Sequence, residues 1–439
     1  MLKINAFSSG HGKSTALAQK TKEMIARRQR LLGPAYELFY QDPLHLVKGD
    51  GVWLYDADGK RYLDAYNNVP SVGHCHPLVV EALYRQASML NTHTRYLHEN
   101  ILNLAEKLLS TMPTNIGHVM FTCTGSEAND LALRVANEYT GGTGVIVTAY
   151  SYHGMTMATA ALSASMRQNM PINTHARVIP APMHCKDNSS QVGRIFADNI
   201  RKSIGDMRLH GIKPSALLVD TFFTSDGGFY DPAGFLQEAT DVIHDAGGLL
   251  IADEVQPGYG RSGEFMWGFQ RHGVKPDIVT LGKPMGDGHP LAAVAADSQI
   301  LQQFGANTSY FNTFGGNPVS AAVGLAVLEV IEKENLIENA RCSGLAIFQG
   351  MEALAKQFMA FGDVRGAGLS IGVDIVGEDN LPDPEYALHL VNRLRSKGVL
   401  IGVIGPHANI LKIRPPLVFK PEHAQLLLDA LEQELRNGR

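Results

Sequence analysis

A lysine and a carboxylate follow two predicted strands of this chain. The apolar run GLLIAD ends at Asp253, and the run DIVTL leads through a glycine into Lys283. In an open α/β sheet, side chains at the carboxyl ends of neighbouring strands line the crevice where ligands bind. A lysine amine can form a Schiff base with an aldehyde, and a carboxylate can keep a pyridine nitrogen protonated so that the ring accepts electrons. The pair therefore indicates carbanion chemistry on a lysine-bound cofactor.

A third segment could hold the phosphate of such a cofactor. The run HVMFTC leads into Gly125 and Ser126, and apolar residues at helical spacing follow. The first backbone N–H groups of a helix have no intrahelical partner and attract anions. We expect Ser126 to be the N-cap of this helix, because serine is a preferred capping residue.

The elements that position these segments alternate between strand and helix. From about residue 78 to 325, short apolar runs alternate with helical patterns, which predicts a mostly parallel central sheet with crossover helices. Before it, VWLYDADGKRYLDAY predicts a β-hairpin that packs with the C-terminal lobe. We predict an N-terminal arm and hairpin over 1–70, a large cofactor domain over 71–325, and a small α/β domain over 326–439, with one long helical stretch from Pro318 to about Phe361.

Composition narrows the class of protein. The chain has 439 residues, a net charge of −5, and 18% charged residues, which gives no electrostatic reason to expect nucleic acid. No apolar stretch is long enough to span a bilayer, and we expect a cytoplasmic protein. The four cysteines have no CxxC pairing, and we interpret them as buried thiols: Cys75, Cys123, Cys185 and Cys342.

The three chemistry-bearing segments, in this order, resemble the class III aminotransferase family of fold-type I pyridoxal 5′-phosphate (PLP) enzymes. The likeness runs from about Leu46 to Phe419. It implies PLP as the cofactor, carried by Lys283 as a Schiff base, with Asp253 on the pyridine nitrogen. It also implies that Tyr152, in a Tyr152-His153-Gly154 segment, stacks on the ring and that Gln256 lies near the 3′-oxygen.

The same resemblance implies an active site shared between subunits. Thr313, in the segment FNTFGGNP, would reach the phosphate of the partner subunit's cofactor. The working unit would therefore be at least a homodimer.

The reaction is indicated by one departure from the family pattern. Most members that use 2-oxoglutarate carry a Glu-Pro-x-x-Gly-Glu segment with a gating glutamate. Here the stretch begins at Asp220, and the second glutamate is replaced by Ser225, or by Asp226 if the alignment moves by one residue. The segments NNVPSVGHCHP, NTHTRYLHENI, GKPMGDGHPLA and GPHANILKIRPP instead resemble the phospho-lyase members of the family, of which ethanolamine-phosphate phospho-lyase is one.

Three hypotheses follow from these segments. The first is a phospho-lyase that eliminates phosphate from a small phosphorylated amine such as phosphoethanolamine, giving aldehyde, ammonia and phosphate. The second is an ω-aminotransferase that passes an amino group from a small amine or amino acid to a keto acid. The third is a non-catalytic binding protein of the same fold. For a substrate phosphate, the candidate ligands are Arg414, His74, His76 and Arg95.

Two further motifs give little support for nucleotide binding or metal binding. The segment Gly10-His11-Gly12-Lys13-Ser14-Thr15 resembles a phosphate loop but has Phe7 where that loop needs glycine. His74 and His76 have near-metal spacing without another evident ligand, and we expect no metal site.

Overall fold

The structure is a computed structural model that describes residues 19–166, 171–182 and 191–438. The segment that resembles a phosphate loop and Cys185 both lie outside the described residues. No helix of the described ranges is long and apolar enough to cross a membrane.

The helices are α1 Gln19–Leu32, α2 Pro77–Ala87, α3 Glu99–Leu109, α4 Gly125–Thr140, α5 Met157–Ala160, α6 Val192–Leu209, α7 Gln237–Asp245, α8 Gly268–Arg271, α9 Ser298–Asn307, α10 Pro318–Lys333, α11 Leu336–Ala355, α12 Pro384–Ser396 and α13 Pro421–Arg436. The strands are β1 Leu46–Asp50, β2 Trp53–Asp56, β3 Arg61–Asp64, β4 Ile116–Thr122, β5 Gly144–Thr148, β6 Ala176–Ile179, β7 Pro214–Asp220, β8 Leu249–Asp253, β9 Ile278–Leu281, β10 Ala292–Asp297, β11 Phe361–Ala367, β12 Ser370–Ile375, β13 Val399–Leu400, β14 Gly402–Ile404 and β15 Ile410–Ile413.

A seven-stranded sheet forms the centre of the molecule, in the order β4-β10-β9-β8-β7-β5-β6. Strands β9, β8, β7, β5 and β6 run parallel, whereas β10 is antiparallel to both of its neighbours. Every residue of β8 and β9 is buried, as expected for strands covered on both faces. The prediction of a mostly parallel α/β sheet is confirmed. The sequence reading missed β10, whose run AAVAAD has only one β-branched residue.

The register of the sheet brings the chemistry-bearing residues to one edge. Asp220 at the end of β7 pairs with Asp253 at the end of β8, and Asp253 pairs with Thr280 of β9. The loop that contains Lys283 follows β9 directly. The parallel register therefore aligns the two carboxylates and the lysine loop at the same mouth of the sheet.

The N-terminal hairpin joins the C-terminal part of the chain, as predicted. Strands β2 and β3 pair antiparallel, and the turn between them contains Gly59 at φ 83°, a conformation that favours glycine. Strand β3 then pairs in parallel with β13, with Leu63 opposite Val399. The proposed domain limits at residues 70 and 325 stay a prediction.

The C-terminal part contains an antiparallel sheet in the order β11-β12-β15-β14, packed against α11 and α12. The prediction of one helical stretch from Pro318 to Phe361 is wrong. Asn335 adopts φ 50° and separates α10 from α11, and Phe361 already belongs to β11. Asparagine tolerates this left-handed backbone better than most residues, so a single residue can end one helix before the next begins.

The prediction that the cysteines are buried is wrong for the three that lie in the described residues. Cys75 and Cys342 are exposed, and Cys123 is partly exposed. Cys75 lies in the turn before α2, where its backbone has φ 56°.

Candidate active site

A cavity of about 230 Å³ opens at the mouth of the central sheet. It is lined by Gly125, Ser126, Asn129, Tyr152, His153, Gly154, Asp220, Asp253, Val255, Gln256 and Lys283. Segments that are far apart in sequence therefore meet there, including all the predicted cofactor-binding residues except Thr313.

Lys283 extends into the cavity from a tight loop after β9. Its backbone has φ 23°, and a Cβ at the preceding Gly282 would come within 3.3 Å of the Gly125 backbone. Burial, followed by the nearby charge of Arg414, lowers the pKa of Lys283 from 10.5 to about 8, although Asp253 and Asp220 oppose this. A lowered pKa makes the neutral amine, which is the nucleophile and the base, available near neutral pH.

Asp253 forms the floor of the cavity and is only 4% exposed. Its Oδ2 accepts a hydrogen bond from Asn129 Nδ2 at 2.9 Å and lies 2.7 Å from His153 Nδ1. Its Oδ1 accepts from the Val255 N–H at 3.1 Å. These partners fix the direction of the carboxylate.

Asn129 lines the cavity but was not predicted from the sequence to be a site residue. Its amide donates to Asp253 and to the His153 carbonyl, and its Oδ1 accepts from Thr280 Oγ1 at 2.7 Å. A polar residue one turn after Ser126, on the face of α4 that is otherwise apolar, was the available signal. His153 lines the cavity with its Nδ1 turned to Asp253, and its neighbour Tyr152 is the residue of that segment that can cover a ring.

The start of α4 forms an anion cradle, but its N-cap is Thr124, not Ser126. Thr124 accepts from the Glu127 N–H while the Glu127 side chain accepts from the Thr124 N–H, which completes a capping box. Ser126 instead lies in the first turn. The capping box leaves the Gly125 and Ser126 N–H groups for a ligand, since the first N–H groups of a helix have no intrahelical partner.

Gly154 closes this cradle from the other side. It has φ 134°, and a Cβ there would lie 2.7 Å from the Ser126 Cα, so only glycine allows the two segments to approach. Ser126 Oγ accepts from the Met155 N–H at 3.1 Å. The close contact fixes the position of Tyr152, two residues earlier, over the cavity.

Tyr152 and Gln256 complete the lining. Tyr152 is partly buried, and burial together with Asp253 raises the pKa of its phenol, which keeps it protonated. Gln256 is 9% exposed and follows Asp253 by one turn of loop. An aromatic face, an amide, a buried carboxylate, a lysine and a glycine cradle for an anion match the groups of a phosphorylated pyridine aldehyde. The residues present therefore fit PLP.

Two buried basic residues lie near Lys283, outside the residues that line the cavity itself, and only one of them was predicted from the sequence. Arg414 is 5% exposed and Lys412, two residues earlier on β15, is 8% exposed. Both pack on the Tyr66 ring, with Arg414 Cζ 5.8 Å and Lys412 Nζ 5.9 Å from its centroid. Nε and Nη1 of Arg414 are buried without a hydrogen-bond partner in the described structure. We call Lys412 and Arg414 the cationic wall.

The two acidic residues of the expected gating segment, Asp220 and Asp226, have different surroundings. Asp220 lines the cavity and faces Lys283, Lys412 and Arg414. Asp226 is 4% exposed, and it accepts from Thr148 Oγ1 at 2.6 Å and from the Tyr150 N–H at 2.8 Å. Asp226 is therefore a structural acceptor and forms no ion pair with the cationic wall.

The other predicted substrate ligands, like Arg414, are not among the residues that line the cavity, and they are held elsewhere. His74 Nε2 lies 2.7 Å from Asp64 Oδ2, and His76 Nε2 lies 2.9 Å from Glu334 Oε1. Arg95 is exposed and places its guanidinium 4.0 Å from the Phe311 ring centroid. Local ion pairs and ring contacts, which sequence alone does not show, account for these three side chains. Thr313 is exposed in the loop before α10.

The fold and the cavity together define a PLP-dependent enzyme of fold type I. More narrowly, the chain belongs to the class-III aminotransferase family, whose model matches residues 39–435. The resemblance noted from the sequence is thereby confirmed.

Some similar proteins are described as aminotransferases and others as phospho-lyases. The chain is 38% identical over 422 residues to an alanine–glyoxylate aminotransferase 2-like protein of Drosophila melanogaster, covering 92% of this chain and 85% of the relative. It is 34% identical over 450 residues to ethanolamine-phosphate phospho-lyase homolog 1 of Caenorhabditis elegans, covering 96% of each. Among solved structures, a phospholyase from Arthrobacter in complex with phosphoethanolamine has a TM-score of 0.92 and 42% identity, covering 95% of this chain and 100% of that one.

Proposed function

We propose that this enzyme is a phospho-lyase that removes phosphate from a small phosphorylated amine such as phosphoethanolamine. The products are an aldehyde, ammonia and inorganic phosphate. The single observation that carries the proposal is the cationic wall: two buried basic side chains beside Lys283, with no carboxylate paired to either among the described residues.

The charge balance of the cavity supports an anionic substrate. Lys412 and Arg414 share one nearby carboxylate, Asp220, whereas Asp253 is held by Asn129 and His153. Asp64 also lies near Arg414, but its side chain is bonded to His74. Buried charges are costly unless they are paired. A phosphate dianion would supply the missing counter-charge and several strong acceptors for charge-assisted hydrogen bonds.

The missing gating glutamate gives further support. In aminotransferases that use 2-oxoglutarate, the resemblance implies a glutamate that pairs with a substrate-binding arginine. Here Ser225 carries no charge, and Asp226 is engaged by Thr148 and Tyr150. The wall is therefore always open to an anion, which suits a reaction with a single anionic substrate and no second acceptor.

Each cavity residue then has a role. Lys283 would hold the cofactor and, once displaced by the substrate amine, take the proton from the carbon that bears nitrogen. Asp253, oriented by Asn129 and His153, would hold the pyridine nitrogen, Tyr152 would cover the ring and Gln256 would bind its 3′-oxygen. When bound, PLP supplies an electron sink that acidifies the carbon next to the amine.

Phosphate departure completes the reaction. The bond between the neighbouring carbon and the ester oxygen breaks, and the phosphate leaves with that electron pair. Lys412 and Arg414 would stabilise the negative charge that develops on the leaving group, as preorganised cations do in dry sites. Addition of water to the released product gives aldehyde and ammonia, so no keto acid is consumed.

The second candidate is an ω-aminotransferase, and one observation favours it. The Drosophila relative, described as alanine–glyoxylate aminotransferase 2-like, shares 38% identity with this chain. In that reaction Arg414 would bind the carboxylate of a keto acid. Both candidates use Lys283 and Asp253 in the same way and differ in the fate of the substrate's β-carbon.

We further propose a homodimer that completes each site. The loop around Thr313 has an exposed aromatic surface, with Phe311 44% and Phe314 69% exposed. Leu97 is 98% exposed, and it follows Arg95, whose guanidinium lies over the Phe311 ring. Helix α1 has no buried residue. Exposed apolar surface of this extent marks an interface. Burial of this loop against a second copy would bring Thr313 to the partner's cofactor phosphate.

A direct assay distinguishes the two candidates. The purified enzyme is incubated with phosphoethanolamine in the absence of any keto acid, and free phosphate and ammonia are measured. Equal release of both is expected, and Lys283→Ala serves as the control for background hydrolysis. Release of neither, together with formation of alanine from pyruvate and an amine, would replace the phospho-lyase proposal by the aminotransferase.

A further inference from the structure

The two residues of the cationic wall differ in one chemical property. Arg414 keeps its proton throughout the accessible pH range, whereas a buried lysine amine can exist in either state. Lys412 and Arg414 are alternate residues of one extended segment, so both project to the same face. Both side chains contact the Tyr66 ring, so a phosphate chamber beside them would contain one permanent cation and one group that can gain or lose its charge.

The surroundings of Lys412 disfavour its charged form when no anion is bound. Arg414 on the same strand and Lys283 from the loop after β9 repel a charge there, Asp220 from the end of β7 attracts it, and the Tyr66 ring packs beside it. Burial, then Arg414, then Lys283, lowers the pKa of Lys412 well below its ordinary value. Among the described residues, no carboxylate forms an ion pair with Lys412.

We propose that Lys412 takes up a proton when a tetrahedral dianion enters the chamber, so that substrate binding by this enzyme is coupled to protonation of a buried amine. The lone pair of the amine forms a new N–H bond with a proton from the solvent, and nothing is oxidised or reduced. The inference rests on the proposed function, since the substrate's phosphate would be the dianion. It adds that the wall reaches its full charge only with the substrate in place.

This coupling has a physical advantage for an elimination reaction. An empty chamber with fewer buried charges is less destabilised, because an unpaired buried charge is expensive. A second cation that appears with the phosphate strengthens the wall while the substrate is bound. After phosphate leaves, loss of the proton from Lys412 weakens the wall and favours release of the product.

The test uses sulfate as the probe and the PLP-loaded enzyme. Sulfate is a tetrahedral dianion without a titratable proton near neutral pH, so any proton taken up must bind to the protein or its cofactor. Calorimetric titrations in two buffers with different ionisation enthalpies give the number of protons per sulfate, and the visible absorbance of the cofactor shows whether the cofactor itself is protonated. We expect about one proton per sulfate without an absorbance change, and an affinity that weakens up to about tenfold per pH unit as pH rises.

Two variants locate the proton. Lys412→Arg keeps a permanent charge, so it should bind sulfate with little proton uptake and a flat pH dependence. Lys412→Met should bind sulfate more weakly, also without uptake. Wild-type uptake that persists in both variants, sulfate binding without uptake, or no sulfate binding in the wild type would each overturn the inference.

The result is separable from the proposed reaction. Release of phosphate from phosphoethanolamine without proton-coupled sulfate binding would remove this inference and leave the phospho-lyase proposal standing. Proton-coupled sulfate binding without release of phosphate from phosphoethanolamine would leave this inference standing and remove the phospho-lyase proposal.

Discussion

The floor and the wall of the cavity differ in how their charges are satisfied. On the floor, the Asp253 carboxylate has three partners, and the Asn129 amide uses both its donors and its acceptor. On the wall, two nitrogens of Arg414 are buried without partners. A satisfied buried group is preorganised for a resident that stays, whereas an unsatisfied one is costly until a ligand arrives. The contrast supports the proposal that the floor binds the cofactor and the wall binds the substrate.

The largest effect is expected at the residue between the two regions. Lys283→Ala removes the amine that would bind the cofactor and move the proton, so turnover should fall by at least about 10²- to 10⁴-fold. The visible absorbance of the lysine-bound cofactor should also disappear. Lys412→Ala is the matched control for the visible band alone, because it removes a neighbouring buried lysine that is proposed to contact the substrate and not the cofactor. Persistence of the visible band in Lys283→Ala would contradict the assignment of Lys283.

A change in the floor should affect the chemistry more than the affinity. Asp253→Asn keeps the shape and loses the charge, so cofactor binding should persist while kcat falls about 10²-fold or more, in the range for lost proton-transfer assistance. KM for phosphoethanolamine should change little. A large rise in KM with normal kcat would mean that the floor, too, contacts the substrate.

A change in the wall should raise KM, which Asp253→Asn should not, in addition to lowering kcat through weaker stabilisation of the leaving phosphate. Arg414→Gln removes one charge-assisted contact to phosphate, worth about 1.5–3 kcal/mol, which corresponds to a roughly 10- to 100-fold rise in KM. The absorbance of the cofactor should remain that of the wild type. The control is Arg95→Gln, which removes an exposed arginine outside the cavity. Loss of the cofactor band in Arg414→Gln would show that the wall supports the cofactor instead.

The smallest effect is expected behind the floor. His153→Phe removes the 2.7 Å contact to Asp253 and should lower the free energy of unfolding by about 1–3 kcal/mol, as loss of a buried partner does. Denaturant titration measures this change. The rate should fall less than in Asp253→Asn, because Asn129 and the Val255 N–H still hold the carboxylate. An equal loss of rate in both variants would make His153 part of the floor itself.

The main architecture could be predicted because its signals are local. Continuous apolar runs identified β7, β8 and β9, and their parallel alignment follows from the crossover rule, which was enough to bring Asp253 and Lys283 together. The cradle at Gly125 was found, although the N-cap was placed two residues late because Thr124 and Ser126 are both good caps. Separation of α10 from α11 depends on one left-handed asparagine, which leaves little trace in the hydrophobic pattern.

The wall was only half predicted, and the reason is spatial. Arg414 was a candidate because of its charge and its position in the family pattern, but Lys412 lies within ILKI, where a lysine normally points to solvent. Only the tertiary structure turns that face of β15 toward Lys283. The histidines show the reverse error, since their partners Asp64 and Glu334 could not be identified from spacing in the sequence.

The junction of the first and last parts of the chain has a consequence for biosynthesis. The backbone N–H of Arg414 donates to the Ala65 carbonyl at 2.8 Å. Tyr66, which follows the N-terminal hairpin, contacts both wall residues with its ring. Lys283 leaves the ribosome well before Arg414 does. A growing polypeptide can therefore already contain the strands next to the reactive amine while Lys412 and Arg414 have yet to be synthesised.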